Sequence, residues 1–115
     1  MVQLRAGALV IGADAYFNSR SEQLAALTLR NAMPAIYQFR EFVLSGGLAS
    51  LGATVADTYR PLGVYAGRIL KGEKPGDLPV QQGTKVELLL NLKTAKALGL
   101  AVPLPLSGRA DEIIE

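Results

Sequence analysis

Ala35-Ile36-Tyr37-Gln38-Phe39-Arg40-Glu41-Phe42-Val43 runs directly into Leu44-Ser45-Gly46-Gly47-Leu48-Ala49-Ser50-Leu51-Gly52, and the rest of the chain is arranged around this stretch. Pro34 precedes an apolar run too short for a helix. An aromatic-charged cluster follows, then a Gly-Gly break and a second short apolar run ending in glycine. That order reads as strand, loop with a short helix, strand. In open α/β sheets, ligands gather at the carboxyl ends of strands, where loops and helix N-termini converge. Phe39, Arg40 and Glu41 are therefore expected close to whatever this protein binds.

Toward the N-terminus, Ala8-Leu9-Val10-Ile11 is continuously apolar, as a parallel strand buried on both faces should be. The loop over 12–18 carries Asp14, Tyr16, Phe17 and Asn18. Ser19, with Glu22 three positions on, has the spacing of a capping box for a helix over 20–33. Leu24, Ala25, Leu27, Ala32 and Met33 cover more than one face of that helix, which predicts that it is well buried. Pro34 ends it and opens the second strand, over 35–38. The crossover should be right-handed. Ala13-Asp14-Ala15 imitates a cleavage site, but the apolar run before it is hemmed in by Gly7 and Gly12 and is too short for a signal peptide. No apolar run has the length of a transmembrane helix.

Toward the C-terminus, residues 48–51 make a third short strand. Thr54, with Asp57 three residues later, is placed to cap the next helix. Tyr59, Leu62, Ala66, Ile69 and Leu70 follow three-four spacing and mark that helix's apolar face, with Gly63 and Gly67 on one stripe. Pro61 either starts this helix or kinks it. Residues 71–77 are a solvated turn. A strand follows over 86–90, then a helix over 92–98 capped by Asn91 and closed by Gly99.

Composition narrows the functions. At 115 residues the chain fits one domain of modest core. Half of it is hydrophobic and the mean hydropathy is +0.25, an apolar balance that points to an interface and hence to self-association. Twelve basic and ten acidic residues are scattered without a basic cluster, which argues against nucleic acid as a partner. The absence of cysteine and histidine removes disulfides, thiolate chemistry, Ser-His triads and the usual zinc sites. Gly12-Ala13-Asp14-Ala15 lacks the spaced glycines of a dinucleotide fingerprint. No cofactor and no metal are implied.

Several motifs together resemble the ABC-transporter substrate-binding proteins, in particular the tryptophan/tyrosine uptake type. They are Val10-Ile11-Gly12-Ala13-Asp14 with Phe17-Asn18-Ser19-Arg20, then Pro34-Ala35-Ile36-Tyr37, Arg40-Glu41-Phe42-Val43 and Gly46-Gly47-Leu48. Gly67-Arg68-Ile69-Leu70-Lys71-Gly72, Asn91-Leu92-Lys93-Thr94-Ala95, Ala97-Leu98-Gly99-Leu100 and Ala110-Asp111-Glu112 continue the likeness in order. The resemblance covers nearly the whole chain but only the C-terminal portion of the family. It implies a partial α/β fold like a type I periplasmic binding protein, with parallel strands and flanking helices. Residues 1–47 would belong to the second lobe; residues 48–115 would supply the hinge crossing, returning first-lobe elements and the tail. Pro61, Ala49 and Leu51 depart from the family pattern.

The implied function is the solute-binding component of an ABC transporter, holding an amino acid or small organic carboxylate between two lobes and presenting it to a permease. A full-length protein with a signal peptide would be periplasmic or otherwise extracytoplasmic; it would not be an enzyme. Within this resemblance, Asp14 is a candidate acceptor for a ligand ammonium, or else a turn or helix-cap aspartate. Tyr16 and Phe17 either stack on a ligand or pack the lobe. Arg40 offers a fork for a ligand carboxylate, or pairs with Glu41. Ser50 is a candidate donor to a carboxylate. Two alternatives stand beside this reading: a fragment that folds by oligomerising without binding solute, and a sensor or enzyme on a similar α/β scaffold.

Overall fold

The computed structural model describes residues 5–81 and 85–115, and the part of the N-terminal reading that rests on residues 1–4 lies outside them. Five strands form one sheet in chain order: β1 (Leu9–Ile11), β2 (Ala35–Tyr37), β3 (Ala49–Gly52), β4 (Glu87–Asn91) and β5 (Glu112–Ile114). Helices α1 (Ala15–Ser19) and α2 (Ser21–Arg30) link β1 to β2, and α3 (Arg40–Leu44) links β2 to β3. Then come α4 (Val55–Leu70), α5 (Leu92–Ala97) and α6 (Leu104–Arg109).

The first three strands are parallel neighbours, with Val10 opposite Ile36 and Tyr37 opposite Ser50. The sheet as a whole is mixed, not parallel throughout, because β4 runs antiparallel to β3 with Ser50 opposite Leu89. The reason is topological. The chain leaves β3 at the carboxyl edge, makes a long excursion through α4, and re-enters at that same edge, so β4 must run back. β5 then pairs parallel to β4. Residues 47 and 48, where a boundary is expected, lie between α3 and β3.

The core lies between the sheet and α2 and α3. Ile11, Ala35, Tyr37 and Phe42 form one buried cluster, with Leu9, Leu24 and Phe39 packed against it. The Tyr37 and Phe42 rings stack at 4.6 Å between centroids. Thr28 Oγ1 spends its proton on the Ala25 carbonyl, 2.9 Å away, so in the 2.7 Å bond to Tyr37 the phenol is the donor. Burial pushes the Tyr37 phenol above its ordinary pKa.

Local signals in the loop after β1 compete, and Ser19 does not cap the long helix. The helical segment breaks at Arg20, whose backbone is non-helical, so α1 is a separate turn. Asp14 is its N-cap, accepting from the amides of Tyr16 and Phe17 at 2.8 and 3.4 Å. Ser19 closes that turn instead, its hydroxyl donating to the Tyr16 carbonyl. Asp14→Ala is therefore expected to cost about 1 kcal/mol and Ser19→Ala much less, read as paired shifts in denaturation midpoint. A larger loss at Ser19 than at Asp14 would overturn the assignment.

α2 stops at Arg30, short of the expected end at residue 33. Met33 and Ala32 donate back to the Thr28 and Leu29 carbonyls, while Ala32 takes the left-handed conformation at φ +49. This is the cap that a glycine usually makes, built here on alanine at a cost of about 1–2 kcal/mol. Only Ala25 and Thr28 of α2 are buried, and Leu27 and Leu29 reach solvent, so the helix covers the sheet with one face only.

α4 is a different kind of helix. Thr54 caps it by accepting from the Asp57 amide, and it runs on through Pro61. None of its residues is buried. Val55, Tyr59, Leu62, Val64, Ile69 and Leu70 are all exposed. With this excursion the molecule measures 56 × 32 × 20 Å and its radius of gyration is 17.4 Å. A compact chain of this length would have about 13 Å. The Tyr65 hydroxyl donates to the Pro79 carbonyl at 2.5 Å and ties α4 to the returning segment.

Candidate functional site

Because β1, β2 and β3 are parallel, the segments that follow them emerge along one edge of the sheet. Gly12 to Asp14 follow β1, Gln38 and Phe39 follow β2, and Ala53 and Thr54 follow β3. The two passages of the excursion, out after Gly52 and back before Glu87, cross the same edge, since Gly52 lies opposite Glu87. Residues 38–41 form the floor there, with Phe39 in extended conformation as the N-cap of α3.

A mostly apolar cavity of about 360 Å³ opens at this edge, lined by Asn18, Phe39, Glu41, Phe42, Val55, Thr58 and Tyr59. Its walls come from both sides of the crossing: the turns after β1 and β2 on one side, the first turns of α4 on the other. The Thr58 hydroxyl donates to the Thr54 carbonyl at 2.9 Å, which leaves its lone pairs free. The Asn18 carbonyl oxygen is buried without a hydrogen-bond partner. A larger hollow of about 580 Å³ lies beside α2, lined by Ser19 to Gln23, Glu41, Leu44 and Ser45. It is polar and lies on the outer flank of α2 and α3, away from the crossing, so the smaller cavity is the better candidate.

Of the residues singled out from sequence, Phe39 and Glu41 line this cavity. Asp14, Tyr16 and Phe17 sit on the exposed α1 turn at the same edge but do not line it. The Asp14 carboxylate is engaged as the helix cap described above, and the Tyr16 ring carries Arg20 at 5.4 Å and meets Phe17 edge-on at 6.1 Å. Arg40 does not pair with Glu41. Its guanidinium reaches Glu112 at 2.8 Å and Glu87 at 3.4 Å, and so joins α3 to the starts of β4 and β5. At one-third exposure such pairs contribute roughly 0–1 kcal/mol each, and their effect is to fix register at the edge. Ser50 is buried in the middle of the sheet between Tyr37 and Leu89.

Sequence reasoning passed over Asn18, Phe42, Val55, Thr58 and Tyr59 as cavity residues. Their common signal is position, within a few residues of a parallel strand's carboxyl end. Tyr59, which helical spacing places on the apolar face of α4, is 65% exposed.

The fold is thus a mixed α/β sheet with a cavity at its carboxyl edge, beside the two places where the chain crosses that edge. The chain belongs to the ABC transporter substrate binding protein family, whose model matches residues 2–114. Among solved structures it is similar to a conserved domain protein from Vibrio cholerae O1 biovar El Tor, at TM-score 0.88 and 25% identity, covering 95% of this chain and 37% of that one. It is equally similar to the ABC domain in complex with L-Trp from Streptococcus pneumoniae, with TM-score 0.88, 25% identity, and 98% and 38% coverage. The fold also matches CD0873 of Clostridium difficile, a substrate binding protein with adhesive properties in its ligand-free, open form, at TM-score 0.60 and 24% identity, covering 93% of this chain and 36% of that one. The chain thus spans under two-fifths of the length of these structures. No protein of curated function matches it. The family is one of transport proteins and not a class of enzymes. No helix among the described residues is long and apolar enough to cross a membrane.

Proposed function

We propose that this chain forms one side of the solute cleft of an extracytoplasmic ABC-transporter binding protein, which hands an amino acid or small organic carboxylate to a membrane permease. The observation that carries this reading is the cavity whose walls straddle the excursion: Phe39, Glu41 and Phe42 from the sheet, Val55, Thr58 and Tyr59 from α4. In a two-lobed protein the five-stranded sheet belongs to one lobe and α4 to the other, with the chain crossing after Gly52 and again just before Glu87. Closure about those crossings brings the two walls together on the solute. Family membership and the L-Trp held by the Streptococcus pneumoniae relative support the solute class. Asp14, Tyr16 and Phe17 shape the rim, Arg40 holds the edge, and Ser50 packs beneath it.

Calorimetry on a two-lobed protein carrying this sequence, with a panel of amino acids and organic acids, tests the reading. Phe39→Ala and Tyr59→Ala should each weaken the best solute by about 1.5–3 kcal/mol, roughly ten- to a hundredfold in Kd. Lys74→Ala, on the exposed turn after α4, should change nothing. If both aromatic variants bind like the parent, the cleft is elsewhere.

Taken alone, the chain leaves the apolar face of α4 uncovered, and it is expected to self-associate through that face. Light scattering should show species larger than a monomer, reduced when Leu62→Lys and Ile69→Lys are combined. A strictly monomeric parent chain would contradict this.

A further inference from the structure

The way α4 stands over the sheet depends on few contacts. None of its residues is buried. Among the described residues, the side-chain bonds of α4 and the turn after it stay inside the excursion: Thr54 with Asp57 and Thr58, Tyr65 with Pro79, Arg68 with Glu73. The direction of the excursion is therefore set at its two roots, Gly52 and Glu87, which face each other across β3 and β4. These roots are held in different ways. Gly52 lies so close to the Gln38 carbonyl that a Cβ atom would overlap it, a backbone contact that seats the outgoing chain against the end of β2. Glu87 is held by a side chain instead. Its Oε1 accepts from Arg40 at 3.4 Å, and its Oε2 is buried without a partner. Arg40 is bonded more closely to Glu112, at 2.8 Å, where β5 begins. The guanidinium thus has a firm anchor in the sheet and a looser grip on the returning chain. In sequence it directly follows Phe39, which lines the cavity.

We propose that Arg40 is a positioning residue for cleft closure, an inference that rests on the cleft reading above. Its guanidinium, anchored on Glu112, clamps Glu87 and so fixes the angle between α4 and the sheet. Closure pivots at Gly52 and is taken up at the Arg40–Glu87 contact. The strength of that contact suits one that opens and re-forms. A partly exposed pair of this kind shifts an equilibrium by up to about fivefold, enough to bias two positions of α4 without locking either. Without the guanidinium, the mostly buried Glu87 carboxylate keeps no partner among the described residues. It must then turn to water and draw the first residue of β4 with it. Arg40 acts on the solute only through this hinge.

The chain has no cysteine, so paired spin labels can be placed at chosen positions and their separation read by pulsed electron resonance. Labels on Lys71→Cys, just past the end of α4, and Lys96→Cys, on α5, report the distance from the excursion to the sheet. Arg30→Cys with Lys96→Cys reports a distance within the body. Labelled chain is diluted into unlabelled chain, so that only distances within one molecule are read. In Arg40→Ala the 71–96 distribution should broaden, its dominant distance losing about two- to fivefold in weight against the others, while the 30–96 distribution stays put. Glu87→Gln should do the same, and adding it to Arg40→Ala should change nothing more. Arg40→Lys, which keeps the charge without the fork, should recover part of the difference. Raising the salt from about 20 to about 500 mM should broaden the 71–96 distribution of the parent and leave that of Arg40→Ala alone, which a loss of packing would not produce. Identical 71–96 distributions in the parent and Arg40→Ala would overturn the clamp and leave the cleft reading intact. Equal broadening of the 30–96 pair would overturn it too, since Arg40 would then hold the body and not the excursion. If the distances shift as expected but Phe39→Ala and Tyr59→Ala bind solute like the parent, the cleft reading falls and this inference with it.

Discussion

Phe42→Ala is expected to destabilise the protein by about 3–5 kcal/mol, the range for emptying a buried aromatic site. Phe42 is 1% exposed, stacks on Tyr37, and belongs to the cluster that joins α3 to the sheet. A domain of this kind has a total stability of about 5–15 kcal/mol, so the loss should be visible as a large fall in denaturation midpoint, if the variant folds at all. Leu44→Ala, on the same helix but 57% exposed, is the control and should stay within roughly 0.5 kcal/mol. Equal effects at the two positions would mean that the α3 packing described here is wrong.

Gly52→Ala carries the second large effect, and it acts through backbone crowding. A methyl group at Gly52 would overlap the carbonyl oxygen of Gln38 and press on the Gln38 side chain as well. The obstacle is backbone, so β2 and β3 must part at the edge where the cavity opens. A cost of about 1–3 kcal/mol is expected, in the range of other overpacking changes. Gly12→Ala, where an added methyl group meets open space, should be neutral or slightly stabilising. Chemical denaturation of the two variants side by side decides the matter, and a Gly52→Ala protein as stable as its parent would refute the close approach.

Features governed by neighbours in sequence were legible before the structure. The strand after Pro34, the Thr54 and Asn91 caps and the Gly99 closure all depend on residues within one helical turn, and each stands as expected. The loop after β1 misled because two capping signals overlap there. Asp14 and Ser19 both have the right spacing, and only the break at Arg20 decides for Asp14. Arg40 was beyond local reasoning altogether. Its partners lie 47 and 72 residues further along, and neither carries a mark that would link it to Arg40. The same holds for the cavity: Phe39 and Glu41 could be placed at a strand end, but Val55 and Thr58 reach it only through the path of the excursion.

That excursion also sets the order in which the molecule can be built during synthesis. β3 gains its second neighbour only when β4 has been made, after the whole of α4 and the returning segment. At roughly 5–20 residues per second, translation leaves the outer edge of β3 without a partner for about 2–8 seconds after Gly52 is added. An open edge invites pairing with another nascent chain. Here the edge is Ala-Ser-Leu-Gly, short and built mainly from small side chains, which makes it a poor template during that interval.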